Sequence, residues 1–245
     1  MKNIRRILLV LLALLVLSAA GFVGWAETPL GPSDTALTAL QSDAQVTVTL
    51  GDTIVFRPVN TQPVTGFIFY PGGRVDYRSY APILRRIAAQ GYLVLLPKVL
   101  LNLAFFSPDV AGPLISAHPE IKHWAVGGHS LGGVAAAQFI AGHPGQVQGI
   151  AFWASYPADD SLLRSGVKIV SIYASNDGLA TGAEIDASKA LLPPDTLFVR
   201  IDGGDHAQFG SYGPQPGDNP ATIPPEAQWT QVVAATASLL ASLGR

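Results

Sequence analysis

Eleven consecutive residues from His123 to Gly133, reading HWAVGGHSLGG, constrain the fold of this chain more than any others. An apolar, strand-like start runs into Gly128, Ser130 and Gly132 at alternating positions, and then directly into a helix-like stretch over 134–141. This is the form of a nucleophile elbow, in which a serine sits on a sharp strand-to-helix turn with its hydroxyl pushed into a site. The glycines have a steric task, because a turn this tight leaves no room for side chains on either side of the serine. The competing reading makes Ser130 a helix N-cap whose hydroxyl only serves backbone N–H groups.

The rest of the chain supplies the setting such an elbow needs. Runs at 46–50 and 54–58, separated by Gly51-Asp52, predict an opening hairpin. Short apolar strands are expected at 66–70, 92–96, 124–127, 147–153, 167–173 and 197–201. Helical patterns lie between them at 80–90, 108–117, 131–141 and 181–192, the last opening on the capping-box pattern Thr181-x-x-Glu184. A closing amphipathic helix is expected over 225–243. Strands this apolar, alternating with helices, predict an α/β fold with a mostly parallel central sheet covered by helices on both faces. No internal repeat is visible.

In such a sheet, ligands collect beyond the carboxyl ends of the strands. A nucleophilic Ser130 therefore requires an acid and a histidine past later strand ends, in the order Ser, Asp or Glu, His. The 167–173 strand is followed by Ser175-Asn176-Asp177-Gly178, and the 197–201 strand by Asp202-Gly203-Gly204-Asp205-His206. Ser130, Asp177 and His206 are the predicted triad. Asp159 and Asp160 are the rival acids, and Asp205 is too close in sequence to reach the ring of its neighbour. His129 is expected to pack behind the serine. His118, His123 and His143 show no metal-ligand spacing.

Four segments together resemble the α/β-hydrolase superfamily, and within it the bacterial fold-5 group related to dienelactone hydrolases: YPGG at 70–73, GGHSLGG at 127–133, SNDG at 175–178 and GGDHAQFG at 203–210. The similarity runs from about residue 46 to the end and implies acyl hydrolysis of the ester type. One departure matters. Dienelactone hydrolases proper use a cysteine nucleophile, whereas this chain has no cysteine and offers a serine.

The chemistry then assigns roles. Ser130 attacks a carbonyl after losing its proton to His206, and Asp177 orients and stabilises the imidazole. The oxyanion requires two aimed donors, expected to be the Leu131 N–H at the start of its helix and the N–H of Gly73 or its neighbour Arg74. Such a reaction requires no metal or organic cofactor. The triad itself permits thioester, amide or acyl-transfer chemistry as well as ester cleavage, and a binding protein that kept the fold without the chemistry is the non-enzymatic alternative. Only thirteen residues separate the 147–153 and 167–173 strands, so no large cap domain is expected. The stretches 98–108 and 208–220 are the candidates to shape the site, with Phe105, Phe106, Phe209 and Tyr212 as an apolar lining for a short- to medium-chain ester.

Composition narrows the partners. A net charge of −2 argues against nucleic acid or a broad anionic surface as partner, and the triad chemistry makes a small-molecule ester the expected one. At 245 residues and 49% hydrophobic content, one sizeable core suffices. The N-terminus supplies a membrane element. Lys2, Arg5 and Arg6 precede an uncharged run over 7–25, long enough to span a bilayer as an anchor, while Ser18-Ala19-Ala20 offers signal cleavage after Ala20. Either way the positive-inside rule places the remainder outside the cytoplasmic membrane. The expected organisation is an anchor or signal peptide over 1–26, a linker over 27–35 rich in turn residues, and a hydrolase domain over 36–245.

Overall fold

The computed structural model describes residues 2–244. Its centre is one eight-stranded sheet: β1 (Val46–Thr49), β2 (Thr53–Pro58), β3 (Thr65–Tyr70), β4 (Leu93–Pro97), β5 (His123–His129), β6 (Gly149–Trp153), β7 (Lys168–Ala174) and β8 (Leu197–Ile201). The spatial order is β1-β2-β4-β3-β5-β6-β7-β8. The β1–β2 hairpin and the β2–β4 pairing are antiparallel, and every pairing from β4 through β8 is parallel. The expected α/β architecture is therefore present, with β3 and β4 exchanged in space relative to their order in the chain.

Both faces of the sheet are covered, and the strand sequences show why. All six residues of β3 are buried, so the strand reads as a continuous apolar run rather than an alternation. Phe67 and Phe69 point to one face, where they join Ile83 and Ile87 of α3 (Ala81–Ala88) and Val232 and Leu240 of α7 (Pro225–Ser242). Ile68 and Tyr70 point to the other, against Ala135, Phe139 and Ile140 of α5 (Leu131–Gly142) and Ala111 of α4 (Ala111–Ser116). The capping box forms as the sequence predicts: the Thr181 hydroxyl accepts from the Glu184 N–H, and the Glu184 carboxylate accepts from the Thr181 N–H, opening α6 (Gly182–Ser188). That helix tightens into a single 3₁₀ turn at Lys189–Leu191, and the 108–117 segment likewise splits into a 3₁₀ turn followed by α4. Residues 154–167, between β6 and β7, hold only turns and bends, and among the described residues no large cap domain covers the sheet.

The N-terminal helix α1 (Lys2–Ala26) projects from this body, exposed from Asn3 to Trp25 and long and apolar enough to cross a membrane or to serve as a signal sequence. After it the chain lies along the domain. Leu30 bridges Val75, its N–H donating to the Arg74 carbonyl at 2.8 Å. The Ser33 N–H donates to the Ser211 carbonyl, also at 2.8 Å, and Ser33 caps α2 (Asp34–Thr38), whose Ala36 is buried.

Candidate active site

The turn between β5 and α5 has the strained geometry that the elbow pattern requires. Ser130 has φ 52° and ψ −124°, a conformation that costs a non-glycine residue roughly 1–3 kcal/mol. It is held there by its N–H, which donates to the Trp153 carbonyl at 3.0 Å, and by its carbonyl, which accepts from the Ser155 hydroxyl at 2.6 Å. A side chain on Gly128 would strike the backbone of Gly132, and one on Gly132 would strike the Tyr70 carbonyl. The Ser130 hydroxyl makes no capping bond to α5, so the N-cap alternative has no support in the geometry.

Asp177 and His206 come together from two different strand ends. Asp177 Oδ2 lies 2.8 Å from His206 Nδ1, and both side chains are buried. The other carboxylate oxygen, Oδ1, accepts from the N–H groups of Leu179 at 2.8 Å and Ala180 at 2.7 Å, which fixes the carboxylate plane. His206 Nε2 is buried and has no hydrogen-bond partner among the described residues. Asp159 and Asp160 are exposed on the 154–167 connection, and Asp159 bonds Ser161 there.

Two residues that the sequence reading passed over hold the histidine turn. Asp218 Oδ1 accepts from the N–H of Gly178, next to Asp177, while its Oδ2 accepts from the N–H of Ala207, next to His206. One carboxylate thus ties the acid turn to the histidine turn. Gln228, fully buried in α7, takes the Asp205 N–H at 3.0 Å and donates to the Asp205 carbonyl at 2.8 Å. Asp205 itself receives the N–H groups of Gln208 and Ala221, so its carboxylate is spent on the loop and not on the ring of His206. Burial pushes its carboxyl above the usual range.

His129 is fully buried, with its ring 4.3 Å from that of His206 and stacked on Phe209 at 5.7 Å. Its Nδ1 lies 2.9 Å from the Tyr80 hydroxyl, which also accepts from the Gly72 N–H at 2.9 Å. Burial raises the Tyr80 hydroxyl, so it keeps its proton, and with Gly72 donating to the oxygen that proton goes to His129 Nδ1. Burial, and then the nearby His206, hold His129 well below the usual imidazole value. His129 is therefore neutral, and it links the 70–73 loop to the elbow.

The same loop carries the expected second oxyanion donor. The Arg74 N–H already donates to the Asn102 carbonyl at 2.8 Å, which leaves Gly73 as the remaining candidate. A Cβ on Gly73 would fall 2.6 Å from Leu131 Cδ1, so the Leu131 side chain closes up against the loop that carries Gly73. Between them opens a cavity of about 260 Å³, lined by Trp25, Leu30, Leu103, Leu131, Gln215 and Pro216. The apolar lining predicted for the site is thus corrected. Leu103 and Trp25 line the cavity, Phe105 and Phe106 are exposed, and Phe209 is buried behind His129. The 208–220 loop does contribute, through Gln215, whose side-chain oxygen is bound by the Tyr212 hydroxyl at 2.9 Å. A larger cavity of about 500 Å³ lies on the other side of Gln215, between Asp205, Asp218 and Trp229. No group of three or more His, Asp or Glu side chains among the described residues is placed to hold a metal.

Solved structures share this architecture. The chain is similar to an esterase domain from a Rhodothermus marinus protein, at 16% identity and TM-score 0.58, over 81% of this chain and 98% of that one. It is similar to a dienelactone hydrolase-like promiscuous phosphotriesterase from metagenomic libraries, at 14% identity and TM-score 0.60, over 81% and 99%. A dienelactone hydrolase from Anabaena variabilis gives 16% identity and TM-score 0.58, again over 81% and 99%. At these identities the likeness is one of fold. No curated protein matches the chain by sequence. Residues 66–230, which include the elbow, the acid turn and the histidine turn, match the family profile described as the alpha/beta hydrolase family, and the chain belongs to that family.

Proposed function

We propose that this hydrolase cleaves carboxylic esters by a serine mechanism, with Ser130, His206 and Asp177 as the triad. The observation that carries the reading is the buried Asp177–His206 pair, with His206 Nε2 left unpartnered and its ring 4.3 Å from that of His129, the residue preceding a serine held at positive φ. Nε2 takes the Ser130 proton as Oγ bonds to the carbonyl carbon. Asp177 holds the Nδ1–H tautomer and stabilises the imidazolium. The oxyanion is met by the N–H groups of Leu131, at the positive end of α5, and Gly73. As the ester C–O bond breaks, the alcohol leaves with the proton from His206. Water, deprotonated by the same nitrogen, then releases the acid and restores Ser130.

The cationic residues Arg5 and Arg6 before the apolar run favour a cytoplasmic N-terminus, with α1 as an anchor and the hydrolase domain on the extracytoplasmic side. Protease shaving of intact spheroplasts tests this placement: the domain is digested if it lies outside and survives if it lies within.

Hydrolysis of p-nitrophenyl esters from acetate to octanoate tests the chemistry. Ser130→Ala is expected to lose turnover by about three orders of magnitude or more. Retention of activity by a folded Ser130→Ala protein overturns the serine assignment.

A further inference from the structure

The junction between α1 and the hydrolase domain is built as a rigid joint. The four last carbonyls of an α-helix have no partner within it. Here each finds a donor: Val23 from the Glu27 N–H at 2.9 Å, Gly24 from the Thr28 hydroxyl at 3.2 Å, Trp25 from Arg74 Nε at 2.9 Å, and Ala26 from Asn102 Nδ2 at 3.1 Å. Two of these donors belong to the domain. The Arg74 guanidinium also sits 4.3 Å from the centre of the Trp25 ring, and Ala26 is completely buried. A bilayer holding α1 is therefore fixed in position relative to the sheet.

That position can be worked out. The apolar run over 7–25 rises about 28 Å at 1.5 Å per residue, close to the ~30 Å of a bilayer's hydrocarbon. Trp25 then falls at the membrane–water interface, where tryptophan is favoured. Trp25 is also a wall of the cavity between Gly73 and Leu131. Around that mouth the domain leaves Leu100, Phe105, Phe106 and Leu131 exposed. Phe106 meets Phe22 of α1 edge-on at 6.3 Å and packs on Phe105 at 4.2 Å, so the apolar surface of the helix continues onto the domain. The loop that presents these aromatics contains Leu101 and Asn102 at φ 55° and 53°, a backbone cost that no core burial of the two phenylalanines offsets. The cavity itself, at about 260 Å³, is below the roughly 300–1,000 Å³ that encloses a drug-sized ligand, so most of a long acyl chain stays outside it.

We propose that the site opens onto the surface of the bilayer that holds α1, with Leu100, Phe105 and Phe106 seated in the lipid interface, and that its substrate is an amphiphilic carboxylic ester drawn from that bilayer. The proposal rests on the serine-esterase reading. The ester carbonyl enters between Gly73 and Leu131 while the apolar chain remains in lipid. The Ser130 Oγ–acyl bond forms as the ester C–O bond breaks, the alcohol takes its proton from His206, and water then releases the acid.

The full chain, reconstituted in phosphatidylcholine vesicles, provides the test. Two substrates are compared: p-nitrophenyl acetate in the water phase and a 4-methylumbelliferyl ester of a long-chain acid dissolved in the same vesicles. The double variant Phe105→Ser/Phe106→Ser is expected to hydrolyse the embedded ester at least tenfold more slowly and the acetate at the wild-type rate. Equal loss on both substrates, or loss on neither, overturns the proposal. If the wild type fails on both esters, the esterase reading fails. If it cleaves the acetate and not the embedded ester, only the membrane inference fails. A second readout is independent of turnover. The chain has no cysteine, so a spin label on Phe105→Cys is unique. Its collision rate with oxygen is expected to exceed that with a polar nickel chelate, and a label on Asp195→Cys, exposed before β8 at the opposite end of the sheet, is expected to show the reverse. A Phe105→Cys label that behaves as Asp195→Cys does places the loop in water and overturns the proposal.

Discussion

The residue that organises the site from behind is His129, and its ionisation is a stability determinant. The folded chain keeps it neutral, because burial and the neighbouring His206 hold it well below its usual value of 6.5, whereas the unfolded chain protonates it below that pH. The unfolded state thus binds the extra proton as pH falls. Stability from this residue is complete above about pH 6.5 and declines below it by up to about 1.4 kcal/mol per pH unit. Asp205, whose carboxyl is raised by burial, acts in the opposite sense at lower pH, so the comparison is best made by difference. Denaturant midpoints at pH 7, 6 and 5 should fall more steeply for the wild type than for His129→Gln, and parallel slopes would show that His129 is protonated when folded. Tyr80→Phe addresses the same linkage from its other end. It leaves the Gly72 N–H and His129 Nδ1 without their shared partner, at a cost of about 1–3 kcal/mol each before relaxation. Because Gly72 precedes the candidate oxyanion donor, kcat on a p-nitrophenyl ester should fall with Tm, whereas a purely structural tyrosine would lower Tm alone.

At the scale of elements, what matters is how three loops from three strand ends are held in register. Asp218 bridges two of them through the N–H groups of Gly178 and Ala207. Asp218→Ala releases the histidine turn from the acid turn, and misplacement of this kind costs about ten- to a hundredfold in rate. We expect that loss in kcat/KM for a soluble ester, accompanied by loss of the downfield Nδ1 proton signal of His206, with substantial recovery in Asp218→Asn, which can still accept one of the two bonds. The elements themselves were legible because each is specified locally: β8 by a five-residue run between turns that is apolar but for Arg200, α6 by its Thr181–Glu184 box, the elbow by its glycines. Asp218 and Gln228 were not legible. Asp218 lies in a turn-rich loop and Gln228 on the final helix, and their significance comes from partners far away in sequence. The exchange of β3 and β4 was illegible for the same reason, since strand order depends on which crossovers pack and not on any strand's composition. Phe105 and Phe106 misled because aromatic residues after a strand end suit a pocket wall and an exposed surface equally well.

The molecule as a whole is a hydrolase domain joined to an N-terminal helix long and apolar enough to cross a membrane or to serve as a signal sequence, and the coupling between the two lies in Arg74. Nothing near Arg74 in sequence foretells this. It is one of the two residues first considered for the oxyanion, yet its N–H is spent on Asn102, its carbonyl on Leu30 and its side chain on Trp25 and Thr28. Its φ of 55° supplies a clean experiment, because glycine adopts that conformation without strain. Arg74→Gly therefore keeps the backbone conformation and its bonds and removes only the side chain, guanidinium included. The lost interactions are about 1.5–3 kcal/mol for a charged hydrogen bond and about 0.5–1 kcal/mol for an exposed cation–π contact. At 1.4 kcal/mol per factor of ten, opening of the junction should become about thirty- to several-hundredfold more frequent. Amide exchange at Leu30 and Asp76, whose N–H groups pair across this joint, reads that opening directly. Exchange accelerated there and unchanged in β5 would place the hinge at Arg74. Unchanged exchange at Leu30 would show that Asn102 and the buried Ala26 hold the helix without it.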